Sequence, residues 1–398
     1  MMAHTHADFR YFWRLLSSES VLWTEMMPAG AVVQSANPEE DYGRGSRGIV
    51  AQLGGAEPKE LAKAAAILRG LGYDSFNLNA GCPSRRVATE GRFGAALMRE
   101  PEVVAECCRA IGPNTSVKHR LGVLEGWSRE ELWDYETTRE SAFAFVNAVV
   151  EEGGVSRFIV HARIALLDSE TSSRSASNGA PQRFPSSSRV AYKMARAQRL
   201  STMANRNVPP LRPDIAHELK AAFPTADFIL NGGVDSLDTA LDAVQGLDGV
   251  MVGRALMSHP CAFADVDRRF CAAAVDDTRP KTRGEVFDRY VAYVEEKCAL
   301  ATRRLRDSEL IHLVAPPFRL FNGEPGNGAY MRRLKSLAHT KLVPNRMISP
   351  ANLLRAAKAE LSHETLYEKP LVDFVPVVDL AAYDREVPRA GPLARLVV

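Results

Sequence analysis

The stretch Asn77-Leu78-Asn79-Ala80-Gly81-Cys82-Pro83-Ser84 decides how the rest of this chain is interpreted. An apolar, strand-like segment over residues 75–79 leads into it and breaks at a glycine, and a single cysteine, Cys82, follows beside an asparagine. Catalytic thiols are often presented on loops of this kind, held in place by a rigid element. A free cysteine is more often a small buried hydrophobe, so the remainder of the sequence must decide between the two interpretations.

One pattern repeats along about 250 residues: a short apolar run, polar residues at its carboxyl end, and then an amphipathic helical stretch. Such alternation predicts a parallel sheet with right-handed crossovers, which is either a TIM barrel or a doubly wound sheet. Strands are predicted at residues 21–24, 49–52, 75–79, 116–120, 157–160, 227–230 and 249–252. Helices are predicted at residues 58–71, 101–111, 135–152, 213–223 and 236–244.

Polar residues at the strand ends favour the barrel, because its catalytic face is built from the carboxyl ends of several different strands. The residues at such ends are Gln52, Asn79 with Cys82, Lys118, His161, Asn231 and the pair Gly253-Arg254. The predicted fold class is therefore α/β, a TIM (β/α)8 barrel. Seven strands are visible in the sequence, where a closed barrel needs eight. We expect the first strand to be truncated, with the only room for it before Met1.

The length of 398 residues, 46% hydrophobic and 25% charged, is enough for one large α/β domain and a smaller one. We predict the barrel over residues 1–275, a helical domain over residues 283–365, and a tail over residues 366–398 to which the sequence assigns no role. Residues 169–199 are rich in serine and arginine, which predicts a flexible insertion in the loop after the His161 strand.

The amino-acid composition indicates the cellular compartment and the possible partners of the protein, and says less about the reaction. The formal net charge is only +2, so a nucleic-acid partner would have to be met by a local basic face. The six cysteines form no CxxC pair, which favours a reducing compartment without a structural zinc. No run approaches the ~18 apolar residues that span a bilayer, and no signal peptide is evident. We expect a soluble monomer without metal, cytoplasmic, or organellar if a segment precedes Met1.

Glycines follow two neighbouring predicted strands, at Asn231-Gly232-Gly233 and at Gly253-Arg254. In a barrel this pattern is typical of a phosphate site, since backbone N–H groups can approach the anion and an arginine can add a bidentate contact. A glycine pair after a strand can also be no more than a tight turn. Lys118 could stabilise negative charge on an electron-rich ring and His161 could donate to that ring, or either could be a satisfied polar group at a strand end.

Taken in order, the motifs resemble the flavin-dependent tRNA-dihydrouridine synthases, specifically their DusA-type branch. The resemblance covers residues 1–341 and is most specific at residues 77–84 and in the downstream segment Asn205-Arg206-Asn207-Val208-Pro209-Pro210-Leu211. The other matching motifs are Thr24-Glu25-Met26, Gln52-Leu53-Gly54-Gly55, Val117-Lys118-His119-Arg120-Leu121-Gly122, His161-Ala162-Arg163, Asn231-Gly232-Gly233 and the stretch from Asp248 to Arg254.

The resemblance implies an FMN in the barrel mouth, NADPH as the reductant, and the D-loop uridines at tRNA positions 20 and 20a as substrate. It implies FMN contacts from Gln52, Lys118, His161, Asn231, Gly232, Gly233, Gly253 and Arg254. Cys82 would protonate uracil C5 after a hydride reaches C6, and a thiol, mostly protonated at neutral pH, suits that task. The implied tRNA contacts are Asn79, Arg163, Arg206, Arg332 and Arg333, with Arg319 and Lys335 as further candidates for phosphate groups.

The sequence departs from the family pattern at several points. Ile164 stands where relatives usually carry lysine, and the arginines of the insertion are hypothesised to add non-specific attraction for RNA; these are Arg174, Arg183, Arg189, Arg196 and Arg199. Two alternatives stay open. One is an FMN enzyme acting on free pyrimidines, against which the basic C-terminal helices argue. The other is a flavin-free tRNA-binding protein that lost catalysis with its missing strand.

Overall fold

The computed structural model describes residues 4–125, 134–167, 205, 209–270, 278–301, 303, 305–339, 348–372 and 395–398. The predicted insertion at residues 169–199 and the predicted contact Arg206 lie outside these ranges. The chain divides into two compact units. The sheet unit contains Met26–Gly233 and Gly246–Met251, and the helical unit contains Met1–Glu25, Val234–Gln245 and Val252–Val398.

Every predicted strand and helix of the β/α repeat is confirmed, with ends that shift by at most two residues. The strands are β1 (Leu22–Trp23), β2 (Met27–Pro28), β3 (Ile49–Gly54), β4 (Ser75–Ala80), β5 (Thr115–Arg120), β6 (Val123–Glu125), β7 (Arg157–His161), β8 (Ala165–Leu167), β9 (Asp227–Asn231), β10 (Gly249–Met251) and β11 (Arg395–Val397). The short strands β2, β6, β8 and β11 have no counterpart in the prediction.

The helices repeat between the strands and then follow one another. They are α1 (Ala7–Arg14), α2 (Ala29–Gln34), α3 (Pro38–Tyr42), α4 (Pro58–Gly70), α5 (Pro101–Ile111), α6 (Tyr135–Gly153), α7 (Pro213–Ala222), α8 (Leu237–Ala243), α9 (Arg254–Ser258), α10 (Val266–Phe270), α11 (Arg283–Leu300), α12 (Asp307–Val314), α13 (Asn327–His339) and α14 (Pro350–Lys358). The first helix of the predicted helical domain, α11, ends at Leu300.

Within the sheet unit, β3, β4, β5, β7, β9 and β10 run parallel, each hydrogen-bonded to the next. The register places Asn79 beside Lys118 and His161 beside Asn231. Because the six strands are parallel, they bring their carboxyl ends to the same edge.

Proline is the first residue of α4, α5 and α7, a position where the missing N–H has no intrahelical partner anyway.

The expected absence of the eighth strand is wrong, because the far end of the chain supplies it. In the helical unit β11 lies parallel to β1, with Val397 bridged to Val21. The Val21 N–H donates to the Leu396 carbonyl at 3.0 Å, and the Val398 N–H donates to the Val21 carbonyl at 2.8 Å. On its other side, the Val397 carbonyl accepts from Val252, the residue after β10, at 2.9 Å.

The fold class is an α/β TIM barrel, as predicted, with strand positions taken by β1, β3, β4, β5, β7, β9, β10 and β11. The prediction of a truncated first strand is corrected by β11, which also gives a structural role to part of the tail at residues 366–398. The domain limits at residues 275, 283 and 365 stay a prediction.

The helical unit has an aromatic core of its own. Phe287, Phe321 and Tyr330 pack together, with the Phe321 and Tyr330 rings 5.1 Å apart and nearly perpendicular. The hydroxyls of buried tyrosines find backbone partners, since Tyr330 donates to the Pro317 carbonyl and Tyr290 to the Leu313 carbonyl, both at 2.9 Å. Among the described residues, no helix combines the length and the apolar character needed to cross a membrane.

The role of β11 predicts a stability difference between two leucines. Leu396 is 0% exposed, whereas Leu300 is 72% exposed. We expect Leu396→Ala to lower the free energy of unfolding by about 2–5 kcal/mol, because it leaves a cavity in a packed interior. The matched change Leu300→Ala is expected to cost less than about 0.5 kcal/mol. Chemical denaturation measures both values, and equal effects of the two substitutions would contradict the placement of β11.

Candidate active site

The loop that carries Cys82 is fixed from two sides. The Asn79 side-chain oxygen accepts the backbone N–H groups of Gly81 at 3.1 Å and Cys82 at 2.9 Å, and the Cys82 carbonyl accepts the Ala95 N–H at 2.9 Å. Gly94 has φ +66°, and a Cβ there would lie 2.7 Å from the Cys82 carbonyl oxygen. Only glycine allows this approach, so the loop is held closely against its neighbour.

The Cys82 thiol differs from the buried cysteines of the same unit. It is partly exposed, and its sulfur lies 3.6 Å from the Ser84 hydroxyl. Cys107 and Cys108 are buried in α5 instead, where burial raises the pKa of Cys107 to about 12. Those two cysteines are packing residues, whereas Cys82 has the exposure that a reacting thiol needs.

Lys118 lies at the end of β5 and is held by Asn231 of β9. Its ammonium donates to the Asn231 side-chain oxygen at 3.0 Å, and the Asn231 amide donates to the Met251 carbonyl at 2.9 Å. Burial, together with repulsion from Arg120, lowers the pKa of Lys118 to about 7, and the Cys82 sulfur acts in the opposite sense. Lys118 and Cys82 therefore share one electrostatic environment.

The glycine turn after β9 requires glycine at both positions. Gly232 has φ +110° and Gly233 has φ +81°. A Cβ on Gly232 would lie 3.0 Å from Leu211 and 3.1 Å from the His161 ring, and one on Gly233 would lie 2.5 Å from Leu211. The turn therefore brings bare backbone next to His161, and the segment ending at Leu211 covers it. Such a turn can admit an anionic group close to its N–H groups.

Gln52 and Asn79 are both buried beside the Cys82 loop. The Asn79 amide donates to the Gln52 side-chain oxygen at 3.1 Å. Arg163, predicted to touch tRNA, donates to the Pro209 carbonyl. The structure thus brings together Gln52, Asn79, Cys82, Lys118, His161, Asn231, Gly232 and Gly233 at the carboxyl edge of the sheet unit, while the functional roles assigned to them stay predictions.

Arg120 is a residue of this edge that sequence reasoning missed. It is buried, and its guanidinium donates to the carbonyls of Gly81, Ile164 and Asn205, each at 3.0 Å. It therefore ties the Cys82 loop to the loop after β7. A signal was present, because alternate residues of a strand share a face and Arg120 follows Lys118 by two.

His119 points to the other face and belongs to the core. Its ring packs against Phe145 and Phe158, and its Nδ1 lies 2.7 Å from the Arg120 carbonyl. Burial lowers the pKa of His119 to about 4, so the ring is neutral at physiological pH. It is a packing residue between two functional candidates.

The other predicted residues belong to the helical unit. Gly253 precedes α9, and Arg254 is exposed at its first position. Arg332, Arg333 and Lys335 are exposed on α13. Across the described ranges, no group of three or more His, Cys, Asp or Glu side chains is placed to hold a metal ion.

The helical unit also contains a basic cavity of about 760 Å³. Its charged lining residues are Arg268, Arg269, Arg283, Arg319 and Lys369, with Asp265 and Glu324. Asp265 pairs with Arg268, Asp238 pairs with Arg269, and Glu324 is shared by Arg283 and Lys369. Arg319 has no carboxylate partner among the described residues and lies over the Phe318 ring, 5.3 Å from its centre.

Fold and site together define an α/β-barrel enzyme whose candidate reacting groups, a partly exposed thiol and a lysine of lowered pKa, stand at the carboxyl ends of parallel strands. Comparison with known proteins identifies the family. The family model for dihydrouridine synthase (Dus) matches residues 1–358. The chain belongs to the dihydrouridine synthase family, and the enzyme is an oxidoreductase of a generally flavin-dependent group.

Relatives match over most of the chain. A tRNA-dihydrouridine(20/20a) synthase of Vibrio cholerae is 33% identical over 343 residues, which cover 85% of this chain and 90% of the relative. The protein of the same name from Shewanella oneidensis is 34% identical over 85% of this chain and 87% of its own length. That from Synechocystis is 34% identical over 84% of this chain and 86% of its own length. The resemblance stated from the motifs is thereby confirmed.

Proposed function

We propose that this enzyme reduces uridine to 5,6-dihydrouridine at positions 20 and 20a of the tRNA D-loop, with FMN as cofactor and NADPH as reductant. The observation that carries the proposal is the fixed Cys82 loop beside Lys118 in a chain of the dihydrouridine synthase family. We also expect a cytoplasmic monomer, since tRNA is the substrate.

The residues at the carboxyl edge suit a flavin phosphate and ring. The Gly232-Gly233 turn offers backbone that a side chain would block, and Lys118 offers a cation whose hydrogen bond to Asn231 fixes its position. His161, Gln52, Gly253 and Arg254 are proposed as further contacts. When bound, reduced FMN supplies the hydride that uracil C6 receives.

The chain's own residues then complete the reduction. Hydride addition at C6 leaves negative charge spread over C5 and the C4 carbonyl, and the Cys82 thiol gives its proton to C5, so that the C5–C6 double bond becomes single. Lys118 stabilises the thiolate that remains until solvent reprotonates it. The uridine has to leave its stack to reach Cys82, as base-modifying enzymes generally require.

The free-pyrimidine alternative lacks support from the named relatives, which all act on tRNA by their names. The flavin-free alternative rested on the missing strand, whose place β11 takes. The absorption spectrum of the purified protein separates the cases: flavin bands support the proposal, whereas a colourless protein that binds tRNA supports the flavin-free alternative.

Cys82→Ala is expected to slow dihydrouridine formation by about 10²–10⁴-fold, because a positioned general acid contributes on that order. Mass spectrometry of digested tRNA measures the product, and the flavin absorption shows that the cofactor is retained. Cys298→Ala, at another partly exposed cysteine, is the control and should keep full activity. Full turnover in Cys82→Ala would refute the proton-donor role.

Lys118 makes FMN binding depend on pH. With the pKa of Lys118 near 7 in the free protein, the ammonium is lost as the pH rises, and binding that needs it then requires proton uptake. Affinity of the apoprotein for FMN should fall by up to about tenfold per pH unit between 7 and 9. Quenching of flavin fluorescence measures this. Lys118→Met should bind FMN more weakly, with an affinity that does not change between pH 7 and pH 9. If the wild-type protein and Lys118→Met showed the same pH dependence, the assignment of Lys118 would be contradicted.

Arg319 is proposed to contact a tRNA phosphate from the basic cavity, with Arg332, Arg333 and Lys335 nearby on α13. Arg319→Gln should weaken tRNA binding and reduce the slope of log affinity against log salt by about 1. Filter binding at several salt concentrations tests this. Arg44, exposed and paired with Glu39, is the matched control. If the slope of log affinity against log salt were unchanged in Arg319→Gln, the proposed contact of Arg319 with a tRNA phosphate would be ruled out. The corresponding roles of Asn79, Arg163 and Arg206 remain part of the proposal.

A further inference from the structure

We propose that Asn77 and Ser116 are positioning residues for Cys82, acting through a continuous chain of side-chain hydrogen bonds across three strands. Neither residue belongs to the site as described above. The inference rests on the proposed function only in taking Cys82 as the reacting thiol, and the geometry that carries it is independent of any ligand.

The chain consists of Ser116, Asn77, Gln52 and Asn79, here called the amide relay. Asn77 donates to the Ser116 hydroxyl at 3.0 Å, and Gln52 donates to the Asn77 side-chain oxygen at 2.9 Å. Asn79 donates to the Gln52 oxygen at 3.1 Å and accepts the N–H groups of Gly81 and Cys82. The relay therefore runs from β5 through β4 to β3 and returns to the Cys82 loop.

Both ends of the relay are chemically unambiguous. At one end stand backbone N–H groups, which can only donate, and at the other the Ser116 hydroxyl donates to the Phe76 carbonyl at 3.0 Å, which can only accept. Every amide in between must therefore turn its oxygen toward the Cys82 loop and its nitrogen toward Ser116. A relay with one direction is cooperative, since each bond polarises the next.

Asn77 and Ser116 act on the reaction only through their neighbours. Asn77 is 0% exposed, and the Ser116 hydroxyl is bound between the Asn77 amide and the Phe76 carbonyl. Removing the Ser116 hydroxyl leaves the Asn77 N–H without its acceptor, and a buried amide in that position will turn or shift to find another. If the Asn77 side-chain amide rotates, it presents its nitrogen in place of its oxygen to Gln52. The hydrogen bonds by which Asn79 holds the Cys82 loop are then weakened.

The test compares Ser116→Ala with Ser116→Thr, which keeps the hydroxyl. The matched control is Thr115→Ala, which removes a hydroxyl on the same strand that bonds outside the relay, to the Gly112 carbonyl. We expect Ser116→Ala to lower kcat for tRNA reduction about tenfold with KM nearly unchanged, since small displacements of a reacting group are costly. Ser116→Thr should restore kcat, and Thr115→Ala should leave it unchanged.

A second readout needs neither tRNA nor flavin. The rate at which iodoacetamide alkylates Cys82, followed by peptide mass spectrometry across pH, should change at least threefold in Ser116→Ala and return in Ser116→Thr. Unchanged alkylation and kcat in folded Ser116→Ala, or equal behaviour of the Ala and Thr variants, would overturn the inference. If Cys82→Ala keeps full turnover while Ser116→Ala still alters alkylation, the proton-donor role fails and the positioning role stands.

Discussion

The two hydrogen bonds from the backbone of Gly81 and Cys82 to the Asn79 side chain are the interaction on which the site depends. These bonds restrict the conformation of the Cys82 loop and fix it to the end of β4. The opposite side of the loop is closed by the Cys82 carbonyl and the glycine at position 94. A thiol held in this way needs little reorganisation before it transfers a proton, which is the advantage of placing reacting groups on rigid elements.

The cation at Lys118 illustrates how the same edge tunes its electrostatics. Its lowered pKa results mainly from burial, and Arg120, which donates to three backbone carbonyls, adds repulsion. Arg120 thus organises loops while Lys118 keeps the role of a responsive charge. Anionic charge arriving beside Lys118 is stabilised twice, by direct attraction and by the proton it draws onto the amine.

The sequence predicted the repeated elements because their signals are local. Proline at the start of α4, α5 and α7, and apolar runs ending in polar residues, are visible without knowing any long-range contact. The segment Arg395–Val397 carries no such signal, because it has only three residues. It forms a strand only through its pairing with Val21 and Val252. The amide relay was missed for the same reason, because Ser116 and Gln52 are far apart in sequence and meet only through Asn77.

The closing strand also bears on whether the chain can be a working enzyme. Without β11 the backbone groups of Val21, Trp23 and Val252 would lack the partners they have, at about 1 kcal/mol for each hydrogen bond. Those groups belong to residues in or next to β1 and after the end of β10, so an unpaired edge there would be open to water or to another chain. Because β11 pairs with both neighbours, these three residues present no open edge that could account for a loss of catalysis.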